Sequence, residues 1–289
     1  MSIGEKIKKL RTAKLMTQAD LAGTEITRNM LSRIENGAAK PSMETLYYIA
    51  ARLNVSPGFL LAEGKDEEIY FKHNEIIGAK AAFENGDFRI CRDICLHAAS
   101  SKDDEIQMIL AECNLAIAIE EFNMGNLRAA CEYFDEAVET CENTVYRTDY
   151  VIAVAEAYFR YMRRISATLS SNVLEEGVNW YPSLTDAFCR YICAMERLET
   201  ELLEETIPIA EQDSPLTLHY EATLAMRQGA FSLAYEALRS VLMSETPIPE
   251  PMLYFVFCDL ENCCREVENF KGAYEYSINK IELLQKLLT

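Results

Sequence analysis

Six residues in one short stretch, Thr27, Arg28, Asn29, Ser32, Arg33 and Asn36, carry hydrogen-bonding groups of the kind that a nucleic-acid base edge accepts. Arg reaches O6 and N7 of guanine with two parallel bonds, Asn pairs with N6 and N7 of adenine, and Ser serves either a base or a phosphate. At helical spacing Leu31 and Ile34 turn to one side with Thr27, while Asn29, Ser32, Arg33 and Asn36 turn to the other and Arg28 sits at the edge. The same residue types also make an ordinary solvated helix face, so the surrounding elements must decide between the two readings.

Other chemistry is poorly represented. Ten cysteines stand in a long chain without an export signal, which favours reduced thiols over a disulfide scaffold. Cys91 and Cys95, like Cys189 and Cys193, are four apart on a helix face, and Cys263 and Cys264 are adjacent; all read as small buried hydrophobes. His73, His97 and His219 supply no short metal-binding hook, so no metal or cofactor is expected. With no glycine-rich phosphate loop and no nucleophile elbow either, the chain is not expected to be an enzyme.

The elements around the polar stretch are short helices. Ile3, Ile7 and Leu10 recur at helical spacing with Lys6, Lys8, Lys9 and Arg11 between them, predicting a first amphipathic helix to about Leu15. Thr17 and Asp20 have the spacing of a capping box that opens a second. Thr27 caps a third, which stops at Asn36-Gly37. Pro41 and Ser42 open a fourth, carrying Leu46, Ile49, Ala50 and Leu53, and Ser56-Pro57 opens a short fifth ending at Leu61. Five short helices in about sixty residues make a small all-α domain, and the pair from Thr17 to Gly37 has the length of a helix-turn-helix.

The residues go further than the spacing. Leu15-Met16-Thr17-Gln18-Ala19-Asp20-Leu21-Ala22, then Ile26 to Gly37 with its run Leu-Ser-Arg-Ile-Glu-Asn-Gly, then Lys40-Pro41-Ser42-Met43-Glu44-Thr45-Leu46, resemble the lambda-repressor-like, or XRE, helix-turn-helix family. The resemblance implies that Arg28, Asn29, Ser32, Arg33 and Asn36, with Thr27, meet a major groove of double-stranded DNA. It implies also that Gln18 touches a phosphate at the start of the second helix, and that Arg11 pairs with Glu35.

Charge separates this head from the rest. Of 28 Lys and Arg and 46 Asp and Glu, residues 1 to 64 hold nine and six, so the head carries +3 and the remainder −21 within a net −18. Only the head is suited to approach phosphate. The polar run Gly64-Lys65-Asp66-Glu67-Glu68 marks the expected boundary between domain 1–64 and domain 65–289. No signal-peptide pattern and no run of 18 apolar residues is present, so a soluble cytoplasmic protein is expected.

Beyond residue 65 the apolar spacing is helical and repeats. Around Gly86 stand Ala79, Phe83, Phe88, Cys91, Cys95 and Ala98; around Gly125, at the same offsets, Ala118, Phe122, Leu127, Ala130, Phe134 and Ala137. Around Gly229 stand Ala222, Met226, Phe231, Ala234, Leu238 and Val241, and near Glu268 only Phe270 and Ala273 survive. Between about 145 and 212 the pattern fades, although 151–165 and 188–203 still read as helices. These pairs resemble the tetratricopeptide repeat, which implies an all-α solenoid whose first helices line a concave, peptide-binding face. On that resemblance Lys80, Asn123, His219, Arg227, Asn262 and Arg265 are candidate peptide contacts.

An XRE-type head on such a body is similar to the Rgg and PlcR type of peptide-responsive regulator. The resemblance implies a homodimeric transcription regulator, with quorum sensing as its setting and a short signalling peptide as its ligand. The alternative is that the repeat body is only a dimerisation and protein-partner scaffold.

Overall fold

The computed structural model describes residues 1–98, 101–174, 186–199 and 214–289. Every regular element among them is an α-helix. Two compact units divide the chain: Met1–Ile77 with Ala98, and Gly78–His97 with the described residues from 101 onward.

The first unit holds α1 (Ile3–Ala13), α2 (Gln18–Ala22), α3 (Arg28–Glu35), α4 (Met43–Leu53) and α5 (Pro57–Leu61). Each helix starts where a side chain satisfies free backbone donors. Ser2 with Glu5 and Thr17 with Asp20 form capping boxes, and Thr27, Ser42 and Ser56 accept from Met30, Thr45 and Phe59. The first helix ends at Ala13, two residues short of the expected Leu15, which has φ +55° and is 93% exposed. Ile7, Leu21, Leu31, Ile34, Leu46, Ile49, Leu53 and Leu60 close the core.

α6 (Lys65–Glu84) takes in the charged run after Gly64 and crosses from one unit to the other. The second unit continues with α7 (Phe88–His97), α8 (Asp104–Asn123), α9 (Leu127–Cys141), α10 (Asp149–Arg163), α11 (Ala187–Glu199), α12 (Pro215–Arg227), α13 (Phe231–Leu242), α14 (Glu250–Glu266) and α15 (Phe270–Leu288). α8 packs on α9, α12 on α13 and α14 on α15, and neighbouring pairs touch through α7 with α8 and α13 with α14. The helices expected over 151–165 and 188–203 are α10 and α11; the end of the latter lies outside the described residues.

The turns inside the pairs share one backbone feature. Gly86, Gly125 and Gly229 have φ +78°, +83° and +74°, and Glu268, at the equivalent place in the last pair, has φ +59°. The repeat offsets therefore mark a common turn even where the glycine is gone. Ala118, Phe122, Ala130, Phe134 and Ala137 are all fully buried, as are Ala222, Ala234, Leu238 and Val241. Phe270 departs from the expected packing set: Ala273 goes inside, whereas Phe270 is 69% exposed. The inward side of α15 is formed instead by Ala273, Tyr276, Leu283 and Leu287.

Eight of the ten cysteines are buried and the other two half-buried, all as free thiols, in keeping with core packing. Burial pushes the thiols of Cys131 and Cys263 up to about 12. Among the described residues no cluster of three His, Cys, Asp or Glu has a geometry for a metal, and no helix is long and apolar enough to cross a membrane.

Candidate nucleic-acid interface

α3 is built as a two-sided rod. Leu31 and Ile34 are buried in the head's core, while Thr27, Arg28, Asn29, Arg33 and Asn36 are exposed and Ser32 is half-buried. The Thr27 hydroxyl accepts from the Met30 amide at 3.1 Å, so it fixes where the helix begins. Met30, which the sequence reading did not single out, is exposed among these polar residues. Five groups able to read a groove, on Arg28, Asn29, Ser32, Arg33 and Asn36, thus share one outward surface of a helix whose other side is fixed by packing, while Thr27, expected among them, is exposed at the start of the helix with its hydroxyl spent on the cap.

The far end of α3 is tied down by an ion pair. Arg11 donates from Nε to Glu35 Oε1 at 2.6 Å and from Nη2 to Oε2 at 3.0 Å, and from Nη1 to the Met16 carbonyl at 2.8 Å. Gln18 Nε2 donates to Glu35 Oε2 at 2.8 Å. One buried carboxylate therefore joins α1, α2 and α3. Desolvation works against its charge, but the hydrogen bonds from Arg11 and Gln18 and the charges of Arg11 and Lys8 outweigh it and hold Glu35 below its ordinary value. Gln18, expected at a phosphate, is only half-buried at the start of α2 and has its amide committed to this network.

Close approach of α1 to α3 depends on Gly4, where a Cβ would lie 2.2 Å from the Ile34 carbonyl oxygen. On the other side of α2, Tyr48 donates to the Ala22 carbonyl at 3.0 Å and Arg52 to the Asp20 carbonyl at 2.6 Å. These braces were not legible in the sequence; a glycine in the first turn of a helix, where alanine is preferred, was the one available signal. Two of the four basic residues interleaved along α1 are also buried. Arg11 serves Glu35, and Lys6, 1% exposed, donates to the carbonyls of Phe59 and Ala62. Its ammonium satisfies the C-terminal carbonyls of α5, which lie more than fifty residues away in sequence.

Residues 7–60 match the helix-turn-helix family model. The head is a helix-turn-helix domain. Its second and third helices, α2 and α3, are the pair around Gly23 that the Thr17-to-Gly37 stretch predicted. No curated protein matches the chain. Similar solved structures include PlcR of Bacillus thuringiensis in complex with the peptide PapR7 and DNA, 14% identical over 99% of this chain and 96% of that one, with TM-score 0.30. ComR of S. thermophilus in complex with DNA and its signalling peptide ComS is 17% identical over 98% and 99%, with TM-score 0.26. Apo ComR of Streptococcus vestibularis is 19% identical over 83% and 90%, with TM-score 0.25.

Behind the helix-turn-helix domain, the second unit distributes the six candidate peptide contacts unevenly. Asn123, Arg227 and Asn262 are exposed near the ends of α8, α12 and α14. Lys80 pairs with Glu105 at 2.9 Å and borders a cavity of about 300 Å³ with Phe83, Met108, Ile109 and Glu112. Arg265 is exposed but ion-paired to Glu261 one turn earlier. His219 does not line an open face: it is fully buried, its Nδ1 2.6 Å from the Tyr191 hydroxyl and its Nε2 2.9 Å from Asp259 Oδ2. Both ring nitrogens are consumed in tying α12 to α11 and α14, which leaves none for a ligand.

Proposed function

We propose that this chain is a sequence-specific DNA-binding transcription regulator, acting as a homodimer, whose repeat body binds a short peptide that controls the head. The observation that carries the DNA reading is the polar surface of α3, with Arg28, Asn29, Arg33 and Asn36 turned outward beside buried Leu31 and Ile34. Bidentate base contacts of this kind discriminate by about 1–3 kcal/mol each. Selecting bound duplexes from a random pool tests the reading directly. An operator with two half-sites should emerge, and Arg28→Ala and Asn29→Ala should each lose preference for it while remaining folded. Unchanged operator affinity in both variants would remove α3 from the recognition role.

Peptide control is supported by the resemblance of the repeats and by the acidity of a body that contributes nothing to phosphate attraction. Asn123, Arg227 and Asn262 are the candidate contacts that stay exposed, with no side-chain hydrogen bond or ion pair among the described residues. A peptide that is apolar or carries positive charge suits such a body. It alters DNA binding only by discriminating between two arrangements of the dimer. Calorimetric titration of the whole protein with peptides encoded beside its gene, repeated with Arg227→Ala and Asn262→Ala, tests this. A dimer that binds DNA and no peptide would favour the scaffold role.

A further inference from the structure

α15 packs through one side on α14 and α9, and its opposite side is apolar and is covered by none of the described helices. Phe270, Tyr274, Ile278 and Ile281 are 69%, 68%, 37% and 50% exposed. At about 100° per residue these four side chains fall within about 80° of one another, a single stripe along the helix. A stripe of this kind is a site for a partner rather than scattered surface hydrophobes, which occur singly.

We propose that the partner is a second copy of this chain, seated antiparallel so that the two α15 stripes face each other across a two-fold axis near Tyr276. The charges on the stripe's flank select this arrangement. Lys271 and Glu282 lie on the same flank, and in an antiparallel pair each meets the other's counterpart, giving two reciprocal ion pairs. The same register sets Phe270 against Ile281 and Tyr274 against Ile278, so both the apolar and the charged contacts close on themselves, as a two-fold interface requires. A parallel pair would bring the flank of Lys271 and Glu282 against Ser277 and Leu284, which offer no charge. Among the described residues Lys271 makes one ion-pair contact, an exposed one with Glu275 at 3.8 Å. It is therefore available to a partner at little cost.

The inference names the surface for the homodimer proposed above and is tested apart from DNA binding. Sedimentation of the full-length protein across a range of concentrations should show a monomer–dimer equilibrium. Ile278→Asp should raise its dissociation constant by about tenfold or more, as expected for a charge placed at the centre of an interface. Ile278 is on the bare side, so the melting temperature at low protein concentration should hardly change. Lys271→Glu and Glu282→Lys should each weaken the dimer, and the double reversal should restore it. A wild-type monomer at all concentrations, or a dimer indifferent to Ile278→Asp, would overturn the assignment. So would a double reversal no better than the singles. Loss of DNA binding in a protein that still dimerises through these residues would overturn the regulator reading and leave the interface standing.

Discussion

Glu35 is the residue on which the head's geometry turns. Its carboxylate is buried and holds three helices through Arg11 and Gln18. Removing one partner of a buried pair leaves an uncompensated charge, so Arg11→Ala should destabilise the head by about 3–5 kcal/mol. The pH dependence has a definite sign. With its folded value held below the ordinary 4.5, Glu35 contributes stability that is present above that value and lost as pH falls through the lowered one. In Arg11→Ala the desolvation penalty is opposed only by the Gln18 hydrogen bond and the charge of Lys8, so the carboxyl takes up a proton more readily and acidification relieves the buried charge. The difference in melting temperature between the two proteins should be largest near pH 7 and narrow towards pH 4. A gap that is constant across this range would show that Glu35 does not carry the linkage. The Arg11–Glu35 pairing was legible through family resemblance alone. The burial of Lys6 and His219 was not, because the groups that satisfy them lie on distant helices and a local pattern cannot register them.

At the scale of elements, caps and turns were the most legible features. Thr17, Thr27, Ser42 and Ser56 each sit where their hydroxyls satisfy backbone donors, since that chemistry is local. The repeat offsets also held where the turn glycine was lost, but Phe270 misled, because an apolar residue at a repeat position carries no sign of which side of the helix it faces. The turn itself yields a prediction. Glu268 adopts φ +59°, a conformation that a side chain resists by about 1–2 kcal/mol and that glycine accepts freely at the other turns. Glu268→Gly should therefore stabilise the last pair by about 1 kcal/mol after the extra freedom glycine has in the unfolded chain is subtracted. Thermal unfolding would show a melting temperature raised by a few degrees. An equal or lower one would mean that Glu268 makes compensating contacts in that turn. Gly229→Ala, the reverse change where a Cβ meets nothing within 4 Å, should lose stability through backbone strain alone.

On the scale of the whole molecule, a protein of net charge −18 is proposed to bind the most acidic polymer in the cell, and the division of charge is what makes that physically reasonable. Lys8, Lys9, Lys14, Arg28, Arg33 and Lys40 are all exposed in the head, whereas Lys6 and Arg11 are buried and spent on structure. Binding to phosphate releases condensed counterions, so the logarithm of affinity falls with the logarithm of salt concentration by about 0.9 for each phosphate neutralised. The slope should then reflect several phosphates per head despite the negative total charge. Arg28→Ala should reduce operator preference at every salt concentration, because it reads a base. Gln18→Ala carries no charge change and should lower affinity for operator and scrambled duplex by the same factor, leaving the slope where it was. Part of that loss will come through Glu35, since the Gln18 amide also braces α2 on α3. Titrations of both duplexes at a series of salt concentrations separate these effects. Affinity that does not change with salt would show that the exposed cations of the head do not meet phosphate. A Gln18→Ala loss confined to the operator would assign that residue to base reading and move the recognition surface towards α2.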